Sequence, residues 1–204
     1  DWERSHVLQM LFGAGMADTA AYAASQPLHH VPGTTWRYAS GTSNVLARIV
    51  GDAVGGGEEG MRAFMAAELF EPLGMTSADP RFDAAGTFLG SSYVHAPLRE
   101  WCRFGLLAER GGRWGDRQLV PAAWLDDARI ARSWEEDLLF HGAHWWAWDR
   151  PGSPWGAHGF EGQRIISFPE RDVIVVRFGR TESDNTVHLN AHLAELAACF
   201  PVTS

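Results

Sequence analysis

The sequence predicts an α+β fold, an antiparallel β-sheet flanked by helices. Two β-rich runs, Arg164 to Phe168 and Val173 to Phe178, are joined by Pro169-Glu170-Arg171-Asp172, a composition that reads as a hairpin. Their alternation is incomplete, with Ile165-Ile166 and Val173 to Val176 nearly continuous, so helices are expected to cover the sheet. Earlier in the chain, and again at its end, apolar residues recur at helical spacing instead. The strands therefore gather mainly in the C-terminal third.

In chain order, Ser5 to Phe12 reads as a short helix capped by Ser5 and ended by Gly13 and Gly15, and Asp18 to Ala24 as a second. The stretch from Pro32 to Asn44 carries a Pro-Gly turn, then Trp36 and Tyr38 alternating with polar neighbours as an extended piece does, then Gly41 releasing the chain into a helix from Thr42. Val45, Leu46, Ile49 and Val50 form that helix's apolar face, and Gly55-Gly56-Gly57 closes it. The glycine run follows a helix and lacks the lysine of a nucleotide loop, so it reads as a flexible turn. A helix from Glu58 to Leu69 has Met61, Phe64, Met65 and Leu69 on one face and stops at Pro72. Residues 75 to 95 read as loop. Ala96 to Glu109 is a helix with Leu98, Trp101, Cys102, Gly105 and Leu106 on one side. Gly111-Gly112 turns into a brief hairpin from Trp114 to Leu119, and Pro121 opens a helix to about Ala131. A closing helix runs from about Asn185 to Phe200.

A length of 204 residues, 46% hydrophobic and 12% aromatic, suits one globular domain, 1–204. The net charge of −8 argues against nucleic acid or an anionic membrane as partner, since both reward basic patches. There is no apolar run long enough for a membrane span and no signal segment at the start. Cys102 and Cys199 sit among apolar neighbours and read as buried free thiols. No cofactor is expected. His29-His30 point to opposite faces of an extended chain, His141 and His144 lack a third ligand at fixed spacing, and His188 and His192 enclose no glutamate, so none of these pairs reads as a metal site.

Tyr38 is held at a loop-to-helix junction, where a phenol can enter a cleft while its backbone stays anchored. The run from Pro32 to Val50 resembles the Tyr-x-Asn/Ser motif of the serine β-lactamase, penicillin-binding protein and related esterase superfamily, in its class C and esterase-like branch. Three further blocks fall in that family's order: Phe70-Glu71-Pro72-Leu73-Gly74-Met75, Leu106 to Leu125, and Trp155 to Val176. The resemblance implies acyl transfer through a serine ester on a small ester or amide substrate. It implies Tyr38 as general base or proton relay, which a neighbouring cation must assist, and Ser40 as a hydrogen-bonding partner of substrate or lysine. It also implies substrate and oxyanion binding by Trp155, Ala157, His158 and Gly159, with the Ala157 N–H as oxyanion donor. His158 either contacts the tetrahedral intermediate or is a structural histidine bonded to a neighbouring strand. The tryptophans of Trp145 to Trp148 are implied to pack the sheet or line the acyl pocket. Ser91 and Ser92, although preceded by Gly90, lack a nucleophile-elbow pattern and are implied to cap the next helix. Lys-Thr-Gly is absent from the third motif, which favours ester or amide over β-lactam.

The family's nucleophile is the serine of Ser-x-x-Lys, and this sequence has no lysine: all 17 of its Lys-plus-Arg residues are arginines. A guanidinium does not shed its proton near neutrality, so arginine is no substitute base. The expectation is an incomplete domain, resembling the family's C-terminal two-thirds, that begins after the nucleophile segment and is inactive alone. Its exposed core would favour self-association or pairing with the missing N-terminal segment. The alternative is an inert binding protein of the same fold.

Overall fold

The computed structural model describes residues 5–134, 139–149, 152–182 and 185–203. Two compact units partition the chain, one of residues 1–72 with 76–96 and the other of 73–75 with 97–204.

In the first unit, helix α1 spans His6–Phe12 and α2 Thr19–Ala24. Both are capped as their sequences dictate: Ser5 Oγ accepts the Leu8 N–H at 3.3 Å, and Asp18 Oδ1 accepts the Ala21 N–H at 2.9 Å. Helix α3, Ser40–Val54, starts two residues before the expected Thr42. Gly41 therefore lies inside the first turn, where a Cβ would sit 3.1 Å from the Ala23 Cβ. Its lack of a side chain lets α2 approach α3. The buried side of α3 carries Asn44 and Ala47, while Leu46, Val50 and Ile49, the last 57% exposed, face outward. Apolar periodicity chose the wrong face because Asn44 and Arg48, on the inner side of α3, make polar ties there.

Those groups centre on Asp83. Its Oδ2 accepts the Thr19 N–H and the Thr19 hydroxyl, both at 2.8 Å, and its Oδ1 accepts the N–H groups of Ala85 at 3.1 Å and Thr87 at 2.8 Å. Arg48, on α3, donates to Thr87 Oγ1 at 2.5 and 2.8 Å and to Asp18 at 2.9 Å. Residues 75–95, expected as loop, are thereby fixed, and two short strands, β1 (Asp79–Pro80) and β2 (Val94–His95), pair antiparallel within them. Asn44 adds a second tie: its Oδ1 accepts the Ser91 N–H at 3.1 Å and its Nδ2 lies 3.5 Å from Met10 Sδ. Ser91 and Ser92 do not cap the next helix, which begins several residues later after Pro97 with no side-chain cap.

Helix α4, Gly57–Met65, opens on the last of three glycines whose φ values of 77°, 75° and 60° are left-handed, so the glycine run is a defined turn. Phe64 is exposed, and Met61 is the residue α4 buries. The helix does not stop before Pro72. A π-turn, Ala66–Phe70, in which the Glu71 N–H reaches Ala66 O, leads into a short α5, Glu71–Leu73. The wider turn accommodates a proline that has no N–H and crowds the carbonyl four residues back.

The second unit holds α6 (Leu98–Glu109), a hairpin of β3 (Arg113–Trp114) and β4 (Arg117–Gln118), and α7 (Ala122–Ala128). Pro121 is the cap of α7, with ψ 130°, rather than its first helical residue. A six-stranded antiparallel sheet follows: β5 (Ser133–Trp134), β6 (Leu139–His141), β7 (Trp146–Trp148), β8 (Trp155–Gly159), β9 (Gln163–Phe168) and β10 (Val173–Arg177). The strands stand in sequence order, and helix α8, Thr186–Ala198, ends the chain's regular structure.

Helix α6 covers one face of the sheet, where Gly105 leaves room for the Ile165 and Ile174 methyls. The same face holds the cluster of Ala108, Ala128, Trp145, Ala147 and Trp155. On the other face, Leu193 and Ala197 of α8 pack on Trp148, Ile166 and Val175. Helices on both faces account for the near-continuous apolar strands. Cys102 is half-buried, and burial pushes its thiol up against the opposing effect of Arg99; Cys199, expected to be buried, is exposed near the end of α8. Among the described residues no helix is long and apolar enough to cross a membrane.

Candidate active site

Tyr38 lies in the first unit at the end of an exposed segment, two residues before α3, and is itself 56% exposed. Residues 35–39 belong to no strand. Extended Ala39 (φ −147°, ψ 114°) turns the chain into the helix, and Ser40, half-buried, is its first residue. What holds Tyr38 and Ser40 in place is the far side of α3, through fully buried Asn44 and the Arg48 contacts to Asp18 and Thr87. Tyr38 thus presents its phenol two residues ahead of a helix that is anchored by polar ties.

The residues Trp155, Ala157, His158 and Gly159 lie along β8 in the second unit. β8 is an interior strand, but unequally so. Its pairing with β9 runs the whole way from Trp155↔Ser167 to Gly159↔Gln163, whereas its pairing with β7 ends at Trp146↔Gly156. Beyond Gly156 the β7 side of the strand has no β-partner among the described residues. In an extended strand, main-chain groups alternate sides. The Trp148 N–H bonds Pro154 O at 2.9 Å, so residues 154, 156 and 158 turn their polar groups toward β7. The Ala157 N–H is therefore directed at β9, and the His158 N–H is the one directed at the open side.

Side chains on β8 divide between the faces. Trp155 is buried in the α6 core, edge-on to Trp145 at 5.0 Å, with the Arg129 guanidinium 3.9 Å over its ring. Arg129 also donates to Ala108 O at 2.8 Å; burial lowers its guanidinium, against the Glu109 and Asp126 carboxylates, which raise it. His158 points to the α8 face, stacked on Trp146 at 5.7 Å and tilted against Trp148 at 5.2 Å. Its Nε2 is buried without a hydrogen-bond partner among the described residues. Burial foremost, then the Arg164 guanidinium and His141, push its pKa down to about 3. His141 is itself lowered by burial and by His144. Near neutrality His158 is therefore an uncharged imidazole, able to exchange hydrogen bonds but far too weakly basic to act as a general base.

Arg164, opposite His158 on β9, is buried and donates to Asn190 Oδ1 at 3.1 Å and to the carbonyls of Gly159 at 3.2 Å and Gln163 at 2.9 Å. It fixes the end of β8. There Phe160 projects 86% exposed, and Glu161, at φ 55°, is held by the Thr181 N–H at 2.8 Å and by Arg180 at 3.3 Å.

Sequence reasoning overlooked Asn44, Arg129 and Arg164, each a long-range partner. Asp83 carried a local signal, since an Asp followed by Gly86-Thr87 is a turn composition.

Among solved structures, the chain is similar to a putative 6-aminohexanoate-dimer hydrolase from Bacillus anthracis, with a TM-score of 0.72 at 19% identity, over 86% of this chain and 47% of that one. It is also similar to a penicillin binding protein from Bacillus halodurans, with a TM-score of 0.58 at 13% identity, over 82% of this chain and 59% of that one. The chain thus spans between 47% and 59% of the length of these structures. They share its α+β architecture, an antiparallel sheet flanked by helices. No curated protein matches the sequence. The sequence pattern of the beta-lactamase family matches residues 2–199, nearly the full length, and the chain belongs to that family.

Proposed function

We propose that these 204 residues form part of a serine hydrolase that transfers an acyl group from a small ester or amide, with the nucleophilic serine and its lysine supplied from outside this sequence. The single observation that carries the reading is the family match through Tyr38-Ala39-Ser40 in a sequence that contains no lysine. Tyr38 serves as proton relay once a cation is brought beside it, and Ser40 positions substrate or that cation. The open side of β8 supplies the oxyanion donor, and the alternation along the strand favours the His158 N–H over that of Ala157. Uncharged His158 contributes a hydrogen bond without repelling a cation. Gly159 keeps the end of that strand free of a side chain where substrate approaches, while Trp155 supports it from the core.

The test is fluorophosphonate labelling of this chain alone and of the product of its whole gene. The expected result is an unlabelled chain and a labelled serine in the longer product. Labelling of Ser40 in the chain alone would overturn the assignment. A longer product without labelling would point to the inert binding protein of the same fold.

By the same reading, the outward face of α3 belongs against another segment. Gel filtration of the chain alone should show species larger than 22.5 kDa. A clean monomer with one sharp melt counts against it.

A further inference from the structure

On α8, the row Leu189, Leu193 and Ala197 fills the core against the sheet. The adjacent row is Asn190, Ala194 and Ala198: the Asn190 Oδ1 is held by Arg164 of β9, and the two methyls that follow are too short to reach the strands beneath. A cavity of about 280 Å³ remains, floored by Trp148, Pro154, Ile166 and Phe168. Glu170 and Arg171, from the turn between β9 and β10, stand at the same cavity. The Glu170 carboxylate has no hydrogen-bond or ion-pair partner among the described residues and lies against Gly152, where a Cβ would come within 2.8 Å of its Oε2. The Arg171 guanidinium donates to a neutral carbonyl, Phe200 O, and to no carboxylate among the described residues. An apolar floor thus meets at its rim one negative and one positive group, neither of them ion-paired to another described residue. A purely cationic ligand would face Arg171, and a purely anionic one Glu170.

We propose that this cavity is a second binding site, for a small zwitterion with an apolar side chain, of the class of free apolar amino acids. The ammonium pairs with Glu170, the carboxylate with Arg171, and the side chain lies on Trp148, Ile166 and Phe168. The site lies wholly in the second unit and does not depend on the hydrolase reading.

Isothermal titration of the chain with leucine, isopentylamine and 4-methylpentanoate tests it. Leucine is expected to bind, and each singly charged analogue to bind about fivefold more weakly, the worth of one partly exposed ion pair. Glu170→Gln, a surface change that leaves the packed row untouched, should bring leucine down to the level of 4-methylpentanoate. Ala194→Leu should abolish binding by filling the cavity; Ala198→Leu is the second filling variant if the first does not fold. Absence of leucine binding at ~10 mM, an analogue binding as tightly as leucine, or leucine binding unchanged in a folded filling variant would each overturn the proposal.

Discussion

Asp83→Asn is expected to destabilise the first unit by about 3–5 kcal/mol. The carboxylate receives N–H and O–H groups on both oxygens, from Thr19 on one side and from Ala85 and Thr87 on the other. An amide keeps one oxygen, so two donors would lose their acceptor and meet an NH2 group instead. Asp83 is buried, and water cannot take over either bond. The loss should spread to Arg48, because Thr87 Oγ1, its partner, is placed by the Thr87 N–H bond. Because the chain has two units, the readout is local: protection of the Thr19 and Thr87 amides from hydrogen exchange, beside the urea midpoint. A cost below about 1 kcal/mol would mean that packing, rather than this carboxylate, orders residues 81–93. Thr87→Val is expected to cost less, since it removes only the hydroxyl that Arg48 uses.

The second large effect is a loss of stability in acid traceable to His158. Its pKa in the folded chain is about 3, below the 6.5 of an unhindered imidazole. The unfolded chain therefore binds a proton between those values that the folded chain refuses. Stability is undiminished by this group above about pH 6.5 and falls as pH drops toward about 3, by about 4–5 kcal/mol across the window. The physical cause is the place of the ring, buried between Trp146 and Trp148, where an added positive charge would be desolvated and would meet the Arg164 guanidinium and His141. His158→Phe keeps a ring between the two indoles and removes the titration. Urea midpoints at about pH 7 and about pH 4 should therefore diverge for the parent chain much more than for the variant. Equal slopes in both would show that the imidazole is protonated in the folded state, and would return it to the list of candidate bases.

With a folded-state pKa of about 3, His158 stays uncharged near neutrality and is too weak a base to take a proton there.

Much of the helical and hairpin structure was legible from local chemistry. Ser5 caps its helix because a short oxygen side chain just before an apolar-periodic run accepts a first-turn N–H. The β9–β10 hairpin followed from two branched-aliphatic runs around Pro169, and the covering helices from the absence of alternation in those runs. The motif order was legible as well, since it depends only on sequence. Where reading failed, the deciding partner was distant in sequence. The apolar stripe of α3 points outward because Asn44 and Arg48 take the inner side for Ser91, Thr87 and Asp18. Ser91 looked like a cap but is tied by its N–H to α3.

What the sequence by itself determined was which stretches become helix, the β9–β10 hairpin, which family motifs are present, and that these 204 residues contain no lysine. What only the tertiary structure decided was which face each element buries, that His158 is uncharged, and which N–H along β8 looks toward an open side. Capping and hairpin chemistry act over a few residues and are written in neighbouring letters. Burial, charge and strand pairing are set by contacts made across dozens of residues, and those exist only once the chain has folded.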